Sequence, residues 1–191
     1  YGLIYKLYHI ETVNNQYQLI ETINNNYDTD FKLKIKPLIT ICEKDAMNRI
    51  GSYYYDEKNH KRMTALSNNW YHKNEDLLQV LGTNAYNFFL HYTNSSSQER
   101  MWTTFKEYTK KVRNKNLTKK HMLEMNARST NSYRDKTALA YLVNRYPQPY
   151  FETFFNSKGI ELDEDGFAIS EMVQWIFRSA IRDGKPISIY I

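Results

Sequence analysis

The last part of the chain reads SEMVQWIFRSAIRDGKPISIYI from Ser170 to Ile191. Its first part predicts a helix from Ile169 to Arg182, because apolar residues recur at helical spacing and Asp183-Gly184 is typical of a helix end. The remainder, Ile187 to Ile191, is rich in β-branched and aromatic residues and predicts a strand. A helix that leads directly into a strand is the repeating unit of an α/β fold.

The residues before this stretch continue the alternation of helices and strands. Short strands are predicted at 121–125 and 137–143, although Ala and Leu make a helix possible in the second run. Helices are predicted at 100–111 and 150–157. The second half of the chain therefore predicts an α/β sheet with helices packed against it.

The first half of the chain is less regular. Two β-prone runs, Leu3–Ile10 and Tyr17–Thr22, surround Asn14-Asn15 and predict a β-hairpin. Helices are predicted at 64–72 and 75–92, whereas residues 31–42 fit either a short helix or a strand. We expect residues 1–97 to form an N-terminal part with a β-hairpin and a helical insertion. Residues 98–191 would form the core of the same compact domain.

Composition limits the class of protein. The 191 residues suffice for one domain with a hydrophobic core, and no apolar run approaches the roughly 20 residues that span a bilayer. Cys42 is the one cysteine, which excludes an internal disulfide and fits a cytoplasmic location without a membrane partner. No cluster has the spacing of zinc ligands, so no metal site is predicted. A start without Met and an apolar last strand suggest a part of a longer protein.

Charge is unevenly distributed along the chain. The net charge is +5, but residues 100–146 hold 12 Lys and Arg against 3 Asp and Glu. Such a basic segment is typical of proteins that bind nucleic acid, and DNA is favoured here over RNA. A solvated basic helix face explains the same pattern equally well.

Three polar residues in the predicted last helix are spaced by four. Gln174, Arg178 and Arg182 would share one stripe, since steps of four residues turn a helix by about 40°. Apolar residues cover the rest of this helix, and cations on a mostly buried helix need an anionic partner. Guanidinium groups suit either phosphate or carboxylate, so a phosphate site and a structural network with acidic residues at 161–171 both stay open.

The run Gln174-Trp-Ile-Phe-Arg178-Ser-Ala-Ile-Arg182-Asp-Gly resembles the sixth conserved motif of superfamily 2 helicases. The wider sequence resembles the C-terminal part of DEAD/DEAH-box-helicase-like proteins of bacterial phages and mobile elements. This resemblance covers residues 98–191 well and residues 1–97 only loosely. Its other matching pieces are Met101–Glu107, Asn126–Asn131, Ala138–Asn144 and Asp163–Ile191.

The resemblance implies a RecA-like three-layer lobe of an ATP-driven nucleic-acid motor. Arg178 and Arg182 would act as arginine fingers on the ATP phosphates, and Gln174 would couple the nucleotide to the site. A preceding RecA-like lobe of the same protein would hold most of the ATP and Mg²⁺. The residues expected to contact the nucleic-acid backbone are Arg128, Asn131, Arg134, Lys110 and Lys111.

The sequence also departs from the helicase pattern. The interval between the two arginines is four residues rather than three, and no G-x-x-x-x-G-K-[ST] phosphate-binding loop occurs. We therefore expect no ATP hydrolysis by this chain alone. A non-enzymatic nucleic-acid-binding module of a phage or mobile element is the alternative, and a protein-interaction domain is a third possibility.

Overall fold

The structure is a computed structural model. It describes residues 8–14, 16–21, 29–48, 50, 55–56, 61–62, 65–113, 117–127, 131–159 and 161–191. The chain forms two compact units, Tyr1–Pro37 and Leu38–Ile191.

The first unit contains the predicted β-hairpin. Strands β1 (Tyr8–Val13) and β2 (Gln16–Glu21) pair antiparallel, and helix α1 (Thr29–Ile35) follows them. Asn14 lies in the turn with a φ of 51°, a left-handed conformation that asparagine adopts more readily than most residues. The predicted first strand before Tyr8 lies outside the described residues.

The second unit contains the remaining strands and helices. Its strands are β3 (Ile39–Ile41), β4 (Tyr55–Asp56), β5 (Lys61–Arg62), β6 (Arg100–Thr103), β7 (Ala138–Tyr141) and β8 (Ile187–Tyr190). Its helices are α2 (Asp45–Asn48), α3 (Asn68–Lys73), α4 (Leu78–Asn87), α5 (Thr109–Val112), α6 (Pro149–Asn156) and α7 (Glu164–Ile176). A π-helical segment, Phe88–Tyr92, extends α4. The undecided run at 31–42 is thus helical in its first part and a strand in its last.

A parallel four-stranded sheet organises the second unit. Its strand order is β3-β8-β7-β6, and β8 and β7 lie in the middle. All four residues of β7 are buried, as expected for a central strand that is covered on both faces. Because the strands are parallel, their beginnings lie along one edge of the sheet and their ends along the other. We name these the amino edge and the carboxyl edge.

Alternating residues of the strands pack in opposite directions, so the sheet is the middle of three layers. On one face Trp102, Ala140 and Tyr190 join the hydrophobic core formed with α3, α4 and α5. On the other face the Tyr141 ring packs against Trp175 of α7, with 5.4 Å between ring centroids. The predicted α/β three-layer sheet is confirmed. β3 is hydrogen-bonded to β8, so the sheet also includes residues before position 97.

The predicted helix at 100–111 is wrong at its beginning. Residues Arg100–Thr103 form β6, and helical structure begins only with a 3₁₀ turn, Lys106–Tyr108, that leads into Thr109–Val112. All four side chains from Met101 to Thr104 are buried, which is the pattern of a parallel strand covered on both faces rather than of an amphipathic helix. Met101 and Phe105 thus belong to different elements, and their helical spacing has no meaning here.

The predicted last helix, Ile169–Arg182, is also wrong in its bounds. Helix α7 begins at Glu164, where the Asp163 carboxylate caps it by accepting from the Gly166 N–H at 2.8 Å, and it ends at Ile176. Ser179 then adopts an extended conformation, and its buried hydroxyl donates to the Ile176 carbonyl at 2.7 Å. The chain continues as a 3₁₀ turn, Ala180–Asp183. Gln174, Arg178 and Arg182 therefore do not share a helix stripe.

The other elements of the second half agree better with the prediction. The strands at 137–143 and 187–191 and the helix at 150–157 are present as β7, β8 and α6. The predicted strand at 121–125 consists of a 3₁₀ turn, Lys119–His121, and a single parallel bridge from Met122 to Trp102. No helix within the described ranges is long and apolar enough to cross a membrane.

Gly82 marks the closest approach between two helices on the first face of the sheet. A Cβ at this position would lie 2.0 Å from the main-chain oxygen of Val112 in α5. In an exposed helix Gly→Ala stabilises by about 1 kcal/mol, but here the backbone of α5 has to move. We expect Gly82→Ala to lower the free energy of unfolding by about 1–3 kcal/mol, measured by urea denaturation. Thr83→Ala, at the exposed neighbouring position, is the control and should change it little; equal effects would contradict the close approach.

Candidate nucleic-acid interface

Basic residues from several segments meet at the amino edge. The segments are the loop before β7 (residues 131–137), the turn before β8 (residues 182–186) and the Lys119–His121 turn, which lies beside the start of β6 through the Met122–Trp102 bridge. They are distant in sequence, and the parallel order of the strands brings them to the same edge.

Asp183 is the centre of the first cluster at this edge. The Arg134 guanidinium donates to both of its carboxylate oxygens, with Nε 3.0 Å from Oδ2. This bond lowers the pKa of Asp183, and the charges of Arg134, Lys185 and Arg182 lower it further. Arg182 in turn donates from Nη1 to Oδ1 of Asn131 at 3.0 Å. Arg134 thus pairs with this carboxylate while two further cations lie near it, which leaves a local excess of positive charge.

Lys136 and His121 form a second cluster beside the first. The Lys136 ammonium donates to the Gln98 carbonyl at 2.6 Å and pairs with Asp135. Burial lowers the pKa of His121 below its ordinary value, and the nearby charges of Lys120, Lys136 and Arg100 lower it further. Arg100 itself is held by Ser95 and lies over the rings of Tyr86 and Phe89. The pKa of His121 is therefore lowered by burial and by cations that come from three segments of the chain.

Arg178 differs from the other arginines of the amino edge. Its Nε atom is buried and has no hydrogen-bond partner among the described residues. It follows the end of α7, two residues before Ala180, whose N–H donates to the Lys136 carbonyl at 3.0 Å. A buried guanidinium nitrogen without a partner is uncommon and leaves capacity for an anion.

A polar groove also opens at the amino edge. It has a volume of about 220 Å³, and its lining includes Thr40, Ser95, Glu99, Thr137 and Ser188. Hydrogen bonds from Ser96 lower the pKa of Glu99, so this carboxylate stays charged at neutral pH. A carboxylate in the groove repels phosphate, so an anion is better accommodated on the Arg134 and Arg182 side of the edge.

The predicted site residues do not all lie together. Asn131, Arg134 and Arg182 meet at the amino edge, whereas Gln174 is exposed on α7 and donates to the Ser170 hydroxyl at 3.4 Å. Arg128 lies outside the described residues. Lys136 and Lys185 were not singled out from the sequence, although Lys185 directly follows the Asp183-Gly184 turn that ends the helical segment.

Lys110 and Lys111 lie at the opposite edge of the sheet. They belong to α5, which follows the end of β6, and Lys111 pairs with Glu75 at 2.5 Å. Strands of four residues are about 13 Å long, and this length separates the two lysines from the amino edge. The basic segment seen in the sequence is therefore not one continuous surface.

The carboxyl edge contains two polar groups that sequence reasoning missed. Thr103 and Tyr141 lie opposite each other on β6 and β7 and are buried, and their hydroxyls have no partner among the described residues. Burial raises the pKa of Tyr141 above its ordinary value, as does the nearby charge of Glu171, which pairs with Arg145. Open parallel sheets bind small ligands at this edge. The sequence signal is a polar residue at the end of each buried strand.

The described parts of the chain offer little to a metal ion. They contain no group of three or more His, Cys, Asp and Glu side chains that could hold one.

The depressed pKa of His121 predicts a pH dependence of stability. The unfolded chain takes up the imidazole proton near pH 6.5, whereas the folded chain does so only at lower pH. The unfolded state therefore binds more protons as pH falls through 6.5, and stability decreases. We expect the stability advantage of wild type over His121→Gln to shrink between about pH 7.5 and 5.5, measured by urea denaturation. Every other titratable group is the same in both proteins, so parallel pH profiles would contradict the lowered pKa of His121.

Comparison with known proteins agrees with the architecture. The model of one protein family, the YonV C-terminal Rossmann-like domain, matches residues 33–191. The SPbeta prophage-derived uncharacterized protein YonV of Bacillus subtilis (strain 168) is 39% identical over 190 residues, which cover 100% of this chain and 43% of that protein. The chain thus spans less than half the length of this relative. No solved structure matches the chain at a significant level.

Proposed function

The chain belongs to the family of the YonV C-terminal Rossmann-like domain, and we propose that it binds the backbone of a nucleic acid through its amino edge. Within a longer protein of a phage or mobile element it acts as a binding module, with DNA as the favoured partner. The prophage origin in the printed name of its relative supports this setting.

The main support for this proposal is the excess of cations near Asp183 and Asp135. Arg134, Lys136, Arg182 and Lys185 lie near two carboxylates. Hydrogen bonds from Arg134 to Asp183 and from Lys136 to Asp135 lower the pKa of each aspartate, and the charges of neighbouring cations lower it further. Arginine forks and lysine ammonium groups are the usual contacts to phosphate, and such contacts carry most of sequence-independent affinity. Base-specific contacts are not needed for this role.

The contacts of the cations at this edge assign them different roles in binding. Arg134 is held in place by both oxygens of Asp183, so its charge is positioned in advance and its side chain needs little further ordering. Within the part of the chain that the structure describes, Arg182 donates to a neutral partner, the Asn131 amide oxygen, and keeps further donors for an incoming phosphate. Lys185 is exposed on the next turn. Arg182 and Lys185 are thus the residues proposed to contact the backbone directly.

A charge-matched pair of variants tests this function. Arg182→Ala with Lys185→Ala removes two positive charges from the amino edge, and Lys110→Ala with Lys111→Ala removes two from the carboxyl edge. We expect the first pair to weaken DNA binding and to reduce the slope of log affinity against log salt by about 1–2, measured by fluorescence anisotropy between about 50 and 200 mM salt. The second pair should leave the slope nearly unchanged.

If both double variants lost the same DNA affinity and salt dependence, binding would depend on the total charge of the chain rather than on the amino edge. Absence of any salt-dependent binding by wild type would remove the proposal and favour a protein-interaction domain instead.

A second candidate, the C-terminal lobe of an ATP-driven helicase, is favoured by one observation. Arg178 keeps a buried Nε without a partner among the described residues, as expected of an arginine that awaits a phosphate from another lobe. The three-layer parallel sheet is compatible with such a lobe. ATP and Mg²⁺ would be bound mainly by the preceding lobe. The interruption of the helix after Ile176 counts against a shared role for Gln174, Arg178 and Arg182.

ATP hydrolysis by the full-length protein tests this candidate. Loss of an arginine finger should reduce kcat by roughly a thousandfold or more, so we expect Arg178→Ala to abolish most activity and Arg182→Ala to show whether a second finger exists. Lys111→Ala, which removes a cation from α5, is the control. Full activity in both arginine variants would end the helicase proposal and leave the binding module untouched.

A further inference from the structure

Helix α6 exposes most of its aromatic side chains. Its sequence is PYFETFFN, and although every residue of this helix is described, none is buried. Tyr150 is 64% and Phe154 is 51% exposed, and Phe151 is also exposed. The rings of Tyr150 and Phe151 contact each other, with 4.4 Å between centroids, as do those of Phe154 and Phe155 at 5.3 Å. The aromatic side chains thus contact one another on a helix that packs little against the core.

The first part of α7 continues this apolar surface in sequence, after residues 157–163. Ile169 is 55% exposed, and Val173, one turn later, lies on the same side of the helix and is exposed as well. Trp175 and Ile176 are buried, so α7 packs on the sheet through a different side. Clusters of exposed apolar side chains mark an interaction site rather than ordinary protein surface.

The charges around these helices are strongly acidic. Residues 149–173 contain six Asp and Glu against one Lys, in a chain whose net charge is +5. The acidic residues are Glu152, Glu161, Asp163, Glu164, Asp165 and Glu171. All of them except Glu171 are exposed. Glu152 lies on α6 itself, and Glu164 and Asp165 lie in the first turn of α7, so both helices that expose apolar side chains also expose carboxylates. We name these exposed carboxylates the acidic rim.

This combination of chemistry points to one kind of occupant. We propose that α6 and the first part of α7 bind a basic amphipathic helix of a partner protein, with its apolar side on the aromatic residues and its Lys and Arg on the acidic rim. Tyr150, Phe151 and Phe154 offer exposed apolar area on which the apolar side of such a helix can pack. The acidic rim then selects a cationic helix and speeds its association.

The acidic rim disfavours the other occupants. A symmetric dimer through this surface would bring two acidic rims together, because a twofold axis pairs each patch with itself. The phosphate groups of a nucleic acid and the head groups of an anionic membrane would be repelled in the same way. The surface follows the carboxyl end of β7, so it is separate from the basic amino edge, and the inference is independent of nucleic-acid binding.

Two designed peptides test the proposal on the 191-residue chain. Both are amphipathic helices of about 18 residues, one of Leu and Lys and the other of Leu and Glu. We expect saturable binding of the Lys peptide, weakened by salt and at least about tenfold tighter than binding of the Glu peptide, measured by isothermal titration calorimetry. Phe151→Ser with Phe154→Ser should abolish binding. Glu152→Lys with Glu164→Lys changes the net charge of residues 149–173 from −5 to −1 and should therefore remove most of the preference for the Lys peptide.

The controls separate loss of the surface from loss of the fold. Because α6 contributes no buried residue, the Phe151→Ser and Phe154→Ser variant should keep the wild-type circular dichroism spectrum and Tm. Val80→Ser, which removes an exposed apolar side chain from α4, should bind the Lys peptide normally. Equal binding of both peptides, or binding of neither, overturns the proposal. A wild-type dimer that dissociates in the Phe151 and Phe154 variant overturns it as well, since a second copy would then occupy the surface.

Discussion

The hydrogen-bonded ladder of β7 with its two neighbours is the constraint on which the second unit depends. Ala138 pairs with Arg100 on one side and with Ser188 on the other, and both ladders are parallel. A parallel strand of this kind has to be covered by apolar side chains on both faces. The core around α3, α4 and α5 and the packing of Tyr141 on Trp175 meet this requirement. The direction of β7 also determines which residues share an edge.

The two edges of the sheet differ in chemistry as a result. The amino edge collects cations from loops that are up to about fifty residues apart in sequence, such as Arg134 and Asp183 with its neighbours. The carboxyl edge holds buried hydroxyls on Thr103 and Tyr141 and the ion pair of Arg145 with Glu171. Phosphate contact therefore suits the amino edge, whereas the carboxyl edge is where folds of this class receive small ligands. The aromatic and acidic surface of α6 adds a third chemistry, which fits a protein partner.

Much of the architecture was predictable, and the errors have physical causes. The hairpin, β7, β8 and α6 follow from local patterns and turn residues. The segment at 100–103 was mistaken for a helix because Met101, Phe105 and Tyr108 happen to recur at helical spacing. Their burial, which decides in favour of a strand, depends on neighbours that are distant in sequence. Helix α7 ends at Ile176 because the backbone after Ser179 bonds to the loop before β7 through the Ala180 N–H, a contact that no local pattern contains.

By itself, the sequence determined the α/β class, the hairpin, the two central strands of the sheet and the presence of a basic segment in the middle of the chain, since these depend on composition and short-range periodicity. It also pointed to Asn131, Arg134 and Arg182 as separate candidates. Only the tertiary structure decided that these three meet at one edge while Lys110 and Lys111 lie at the other. The physical reason is that a parallel sheet brings together the beginnings of strands that long crossovers separate in sequence, so charge counted along the chain does not measure charge on a surface.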